Sequence, residues 1–202
     1  MKNESEKNMS ELEKMQAGLL YDANNDEFLL IERLKAEKLC FKLNQTNPVK
    51  SKKRGRILKK IFPDMGDNVT ILSPVITDYG KNCSIGKHTF INHGAYLMDC
   101  AKISIGKNCF IGPDCGFYTA AHPLVSDERN LGLEKAVPIT IGDDVWLGGK
   151  VTVLPGVKIG SGSVIGAGSV VTKDIPSGVV AAGNPCRVLR PITDADRMLI
   201  PQ

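Results

Sequence analysis

The stretch at residues 141–171, IGDDVWLGGKVTVLPGVKIGSGSVIGAGSVV, repeats every six residues. Aliphatic residues occupy positions 141, 147, 153, 159, 165 and 171, and glycine follows four of these six. A helix repeats near 3.6 residues and a simple strand at two, so neither requires a period of six. A hexapeptide repeat is the signature of a parallel β-helix, in which each six residues form one flat face of a coil. We predict that the aliphatic side chains fill a narrow core and that the glycines turn the corners, because glycine tolerates unusual backbone angles. A Gly-rich antiparallel sheet is the alternative.

A less regular repeat precedes this stretch. Its first run is Ile85, Ile91 and Leu97, and after a slip of two residues the second run is Ile105, Ile111 and Phe117. The period then fails over residues 118–138. Because long loops in compact folds tend to be functional, we expect this segment to leave the coil as a catalytic loop.

The N-terminal part lacks the repeat, and its sequence pattern predicts a helical cap. Residues 1–10 are polar and charged, and we expect them to be disordered, whereas residues 11–62 form the cap. Ser10 and Glu13 have the spacing of a capping box at the start of a first helix. Asp26 can cap a second helix over residues 27–43, and a third fits residues 51–62.

Two surfaces of this cap stand out. In the second helix, Leu30, Leu34 and Phe41 share one face, with Ile31 beside them, as in an amphipathic helix. The third helix carries a basic cluster, Lys50, Lys52, Lys53, Arg54, Arg56, Lys59 and Lys60. We interpret this cluster as a solvated helix face, because a nucleic-acid site would need aromatic stacking residues beside it.

Composition excludes several classes of protein. The chain has 202 residues, which suits one domain with an appendage, and its net charge of +4 is mild. It has no apolar run long enough for a membrane span and no apparent signal peptide. The six cysteines form no C-x-x-C pair and are expected to be reduced thiols. We therefore expect a cytoplasmic protein with neither a membrane nor a nucleic-acid partner.

His122, in the predicted loop, is the best candidate for chemistry. Its imidazole titrates near neutral pH and can take a proton from a hydroxyl as a general base. Pro123 restricts the backbone of His122 to extended conformations, which favours a fixed pose. The alternative is a surface histidine that makes only local hydrogen bonds.

The three histidines of the chain could also bind zinc. The gamma-class carbonic anhydrases, which are β-helices, use three histidines in this way. In those enzymes the close pair follows the lone histidine, whereas here the pair His88 and His93 precedes His122. We therefore predict no metal site.

Nine motifs, taken in order, resemble the maltose and galactoside O-acetyltransferases of the hexapeptide-repeat class. They lie at residues 15–22, 78–82, 90–92, 97–99, 118–124, 129–134, 145–149, 171–176 and 183–187. The resemblance implies a mainly β fold, a left-handed parallel β-helix over residues 63–190 with an N-terminal α-helical cap and a C-terminal tail at 191–202. It also implies a homotrimer with sites between subunits, acetyl-CoA as co-substrate, and direct acetyl transfer to a sugar hydroxyl.

The resemblance also implies a role for each site residue. His122 would be the general base, and a backbone amide near Gly149 would stabilise the developing oxyanion. Asn92 and Asp99 would position acceptor and base, while Asp22 and Asp78 would bind sugar hydroxyls. Trp146 would line the path of the pantetheine arm. The other predicted cofactor contacts are Ala167, Thr172, Lys173, Arg187 and Arg190.

Other functions stay open at this point. The acceptor could be an antibiotic, an amino sugar or serine, because sugar recognition depends on few side chains. In particular, galactoside-type members often carry an acidic or amide pair where this chain has Asp99 and Cys100. A non-enzymatic trimeric scaffold and a zinc hydratase are the remaining alternatives.

Overall fold

The N-terminal part of the protein forms three helices. The computed structural model describes residues 8–199, so most of the segment expected to be disordered lies outside the described residues. The helices are α1 (Glu11–Gln16), α2 (Glu27–Asn44) and α3 (Ser51–Ile61). The capping box is confirmed, because the Ser10 side chain accepts from the Glu13 amide while the Glu13 carboxylate accepts from the Ser10 amide at 2.7 Å. Asp26 caps α2 by accepting from the amide of Leu29 at 2.8 Å.

The chain then winds into a parallel β-solenoid with three faces. The first face contains β1 (Asp64–Met65), β4 (Cys83–Ile85), β7 (Ile103–Ile105), β12 (Ile139–Ile141) and β15 (Lys158–Ile159). The second contains β2 (Thr70–Ile71), β5 (Phe90–Ile91), β8 (Phe110–Ile111), β13 (Trp146–Leu147), β16 (Val164–Ile165), β18 (Val179–Ala182) and the antiparallel β19 (Arg187–Pro191). The third contains β3 (Val75–Thr77), β6 (Ala95–Met98), β9 (Gly116–Tyr118), β14 (Thr152–Val153) and β17 (Val170–Val171).

The predicted core is confirmed. On the second face, Ile71, Ile91, Ile111, Leu147 and Ile165 stand in register from coil to coil, and each is at most 3% exposed. Burying one such side chain contributes about 1.5–3 kcal/mol, so the stacked rows stabilise the solenoid.

The glycines after the aliphatic residues serve a purpose that differs from the predicted one. Gly142 and Gly148 are not in the left-handed region, which is occupied two residues later by Asp144 and Lys150, with φ of 58° and 59°. A Cβ added at Gly148 would lie 2.6 Å from the backbone nitrogen of Ala167 in the next coil. Glycine is therefore needed there because adjacent coils approach too closely for a side chain.

The apolar face predicted on α2 is exposed in the structure and does not pack against the coil. Leu34 and Phe41 are 61% and 68% exposed, so the apolar stripe faces outward. The amide of Asn44 exchanges two hydrogen bonds with the backbone of Val75, and this contact joins the end of α2 to β3. The face that α2 buries consists of Leu29, Ala36, Cys40 and Leu43.

Helix α3 buries its aliphatic face and leaves most of its basic residues exposed. Arg54 is the exception, because its guanidinium donates to the backbone oxygen of Ile71 and to the hydroxyl of Ser73. The exposed remainder agrees with a solvated face. Within residues 8–199, the helices are too short or too polar to cross a membrane.

The segment between β9 and β12 leaves the coil. It contains β10 (Ala120–Ala121), the short helix α4 (Ser126–Arg129) and β11 (Lys135–Ala136), and β10 pairs antiparallel with β11. The last described element is the short 3₁₀ helix Asp194–Asp196, which follows β19.

Candidate active site

The imidazole of His122 lies directly after β10, and its two nitrogens have different surroundings. Nδ1 is 3.0 Å from the carbonyl oxygen of Leu133. Because a carbonyl only accepts, this contact selects the tautomer of the neutral imidazole that carries the proton on Nδ1 and the lone pair on Nε2. The side chain is 48% exposed, so Nε2 is accessible to a hydroxyl. This arrangement is suited to general-base chemistry.

Glu134 and Tyr21 lie beside this imidazole, and neither is among the site residues predicted from the sequence. The carboxylate of Glu134 is nearly buried, with Oε2 4.0 Å from Nε2 of His122, and the hydroxyl of Tyr21 donates to Oε1. The same two residues exchange a pair of backbone hydrogen bonds of 3.0 Å. Burial raises the pKa of the Tyr21 phenol far above its usual range, so it stays protonated as a donor. Both residues belong to motifs of the family resemblance, but no sequence pattern pairs them.

Asp22 and Asp78, two of the predicted sugar-binding residues, flank this arrangement. Asp22 follows Tyr21 in the chain, and a hydrogen bond from the Asn25 side chain lowers the pKa of its carboxyl. Asp78 accepts from the hydroxyl of Tyr96 at 2.8 Å, and burial raises the pKa of its carboxyl. Its second oxygen is 3.5 Å from the sulfur of Cys100, which packs in one small cluster with Tyr21.

Asp99, another predicted site residue, is in a different setting. Its carboxylate is fully buried and accepts from the Thr77 hydroxyl at 2.7 Å and from the amides of Tyr79 and Asn82 at 2.8 and 3.2 Å. No part of this side chain is available to an acceptor. The structure therefore assigns Asp99 to bracing a corner of the coil, in place of the predicted acceptor contact.

Apart from the surroundings of His122, an apolar groove runs over the outer surface of the second face. Phe90, Phe110 and Trp146 stand side by side on β5, β8 and β13, and Phe110 and Trp146 are 59% and 55% exposed. The groove also contains the predicted residues Asn92, Gly149 and Ala167. Four predicted residues therefore come together here.

The remaining predicted cofactor residues lie outside this groove. Thr172 and Lys173 follow β17, and Arg187 and Arg190 are on β19. The guanidinium of Arg190 donates to both oxygens of Asp196 at 2.8 and 2.7 Å and holds the pKa of that carboxyl at about 2. A cofactor phosphate would have to compete with this pair. Arg187 donates to the backbone oxygen of its neighbour in the chain.

The predicted site residues that lie at turns of the coil are divided between two corners of the prism. Asn92 and Gly149 lie where the second face turns into the third. His122, Asp78 and Lys173 lie where the third face turns into the first. A single chain therefore presents two separate groups of predicted site residues.

The part of the chain that the structure describes contains no cluster of side chains suited to bind a metal ion. No group of three or more His, Cys, Asp or Glu side chains there could hold a metal ion. His88 is exposed and sits at a left-handed turn position with φ of 60°. All six cysteines are buried and free.

A prism of hexapeptide repeats with an extruded histidine loop and an apolar groove defines a hexapeptide acyltransferase. The family model of the maltose acetyltransferase hexapeptide capping motif matches residues 14–66. Models of the bacterial transferase hexapeptide and of the hexapeptide repeat of succinyl-transferase match residues 138–173 and 102–119. The chain belongs to the maltose and galactoside O-acetyltransferase family and is an acetyltransferase.

Several relatives cover nearly the whole chain. A provisionally named acetyltransferase of Staphylococcus aureus (strain COL) is 55% identical over 184 residues, which are 91% of this chain and 92% of that protein. A maltose O-acetyltransferase structure from Clostridium difficile 630 has 44% identity and a TM-score of 0.90, covering 92% of this chain and 99% of the other. A galactoside acetyltransferase in complex with coenzyme A has 41% identity and a TM-score of 0.90, covering 94% of each chain.

Proposed function

We propose that this protein transfers acetyl from acetyl-CoA to a hydroxyl of a sugar, with His122 as general base. The observation that carries this proposal is the hydrogen bond between Nδ1 of His122 and the carbonyl of Leu133, which leaves Nε2 free. Nε2 accepts the proton of the acceptor hydroxyl while the acceptor oxygen bonds to the acetyl carbon. The thioester C–S bond breaks, and the proton leaves with the CoA thiol. No covalent enzyme intermediate is required.

The apolar groove is suited to the pantetheine arm of acetyl-CoA, which supplies the activated acetyl group. Its lining includes Phe90, Phe110 and Trp146, whose aromatic rings offer apolar surface to a flexible chain. Among the described residues, the amide of Gly149 has no hydrogen-bond partner, so it is available to the developing oxyanion. Lys173 and Arg187 would contact the cofactor phosphates.

The separation of the predicted site residues into two groups favours a homotrimer whose active sites lie between subunits. A three-fold axis would bring the corner that carries His122 in one chain against the corner that carries Asn92 in the next. Each site would then contain the base from one subunit and the groove from its neighbour. In a single chain these residues lie at different corners.

The first experiment measures thiol release from acetyl-CoA by wild type, His122→Ala and the control His88→Asn. His88 is the matched control because it is also exposed, and asparagine tolerates its left-handed backbone. The acceptors are maltose, glucose, a β-galactoside, an amino sugar and chloramphenicol, each with a blank without acceptor. We expect sugar-dependent release that falls about 100-fold or more in His122→Ala and is retained in the control. Near-normal turnover in His122→Ala would refute the mechanism, and turnover of chloramphenicol alone would refute the sugar acceptor.

A second experiment tests the intersubunit site by mixing two inactive variants. His122→Ala and Asn92→Ala are unfolded together, refolded and compared with each variant refolded alone. In mixed trimers, some sites receive His122 from one subunit and Asn92 from the other, so activity should return to about a quarter of the wild-type level. Mixed trimers that stay inactive would contradict a site shared between subunits.

A further inference from the structure

Glu134 has a free oxygen beside the catalytic base, and this oxygen has no bond to the base. Its Oε1 is held by the Tyr21 hydroxyl, and the backbone pairing of the two residues fixes the carboxylate. Its Oε2 is 4.0 Å from Nε2 of His122, which exceeds the usual 2.7–3.2 Å of a hydrogen bond. Oε2 is therefore available to another donor.

Oε2 of Glu134 and Nε2 of His122 form a pair of neighbouring acceptors. With its proton on Nδ1, His122 offers only a lone pair at Nε2, and an ionised carboxylate only accepts. A single hydroxyl has one proton and can satisfy just one of them. Two hydroxyls on one molecule, attached to adjacent or next-but-one carbons, can satisfy both at the same time.

Resting on the proposed function, we propose that Glu134 binds a second hydroxyl of the acceptor, close to the one that is acetylated. The enzyme then selects acceptors that present a 1,2- or 1,3-diol at the site of transfer. A nearly buried carboxylate that lacks a hydrogen-bond donor is not compensated for its desolvation. An acceptor without the second hydroxyl should therefore react with a much lower kcat/KM. Tyr21 acts as a positioning residue, since it fixes which oxygen of Glu134 faces the acceptor.

The test compares the best sugar acceptor with its monodeoxy analogues, leaving out the analogue that lacks the acetylated hydroxyl. Wild type, Glu134→Gln and Tyr21→Phe are assayed for kcat/KM with each acceptor. In wild type, removing the hydroxyl that Glu134 binds should lower kcat/KM about 30-fold, as expected for a hydrogen bond to a charged group. In Glu134→Gln the parent acceptor should lose about tenfold, and the penalty for that deoxy analogue should shrink to about threefold. Tyr21→Phe, which keeps the carboxylate, should shrink this penalty less than Glu134→Gln does.

Three results would overturn the inference. If Glu134→Gln lowered kcat/KM by one common factor for all acceptors, Glu134 would act on His122 alone and not on the acceptor. If no single deoxy analogue were penalised in wild type, the acceptor would make no such contact. If wild type acetylated no sugar at all, the proposed function would be wrong, and the diol site would fall with it. The first two results leave the proposed function standing.

Discussion

Replacing Asp99 by asparagine should weaken the fold while leaving acceptor binding near its wild-type level. The three groups that donate to Asp99 all lie at one buried corner of the coil. The side-chain oxygen of asparagine can keep the bonds from Thr77 and Tyr79. Its NH₂ group, however, would face the backbone N–H of Asn82, and two donors cannot form a hydrogen bond. Loss of the charge and of this one bond should cost about 2–4 kcal/mol. In a chain of this size, that corresponds to a fall of about 5–15 °C in the unfolding midpoint.

The assay is thermal unfolding at fixed protein concentration, because association would also shift the midpoint. Asp67→Asn serves as the control, since Asp67 is exposed and such a change stays within about 0.5 kcal/mol. The acceptor KM is measured well below the midpoint. An Asp99→Asn variant with an unchanged midpoint and a strongly raised acceptor KM would refute the structural role and restore the predicted contact with the acceptor.

Three further predictions concern the coil, the acceptor corner and the C-terminal ion pair. Gly106→Ala places a Cβ 2.5 Å from the backbone oxygen of Gly142, and it should lower the free energy of unfolding in denaturant by about 3 kcal/mol. The control Gly162→Ala has φ of 70° but open space around the new Cβ, so it should lower this free energy by about 1 kcal/mol. Equal losses would contradict the explanation by close stacking of the coils. Because burial raises the pKa of Asp78, ionisation of this carboxyl weakens the fold as pH rises through that pKa. The unfolding midpoint of Asp78→Asn should therefore exceed that of wild type at pH 8 and match it near pH 3. A difference in midpoint that does not depend on pH would exclude this cause. Asp196→Asn should release Arg190 and lower the KM for acetyl-CoA about two- to threefold, and an unchanged KM would argue against a contact of Arg190 with the cofactor.

The sequence predicted those features that depend on residues close together in the chain. A period of six has few physical solutions, so it predicted the parallel coil and its rows of inward aliphatic side chains. The caps at Ser10 and Asp26 were predictable because each needs only a partner three residues away. His122 is predicted because it lies in the segment that interrupts the regular repeat, and imidazole is the side chain best suited to proton transfer at neutral pH.

The tertiary structure decided the features that depend on which elements pack together. Periodicity identified an apolar face on α2, but contact with β3 turned a different face inward. The same dependence explains Asp99, whose burial follows from the corner around it and not from its neighbours in sequence. Glu134 and Tyr21 are 113 residues apart, so their pairing exists only after the loop folds back onto the cap. The sequence therefore determined the coil and pointed to His122 as the candidate base, while long-range packing, which no local pattern encodes, decided which side chains surround this imidazole.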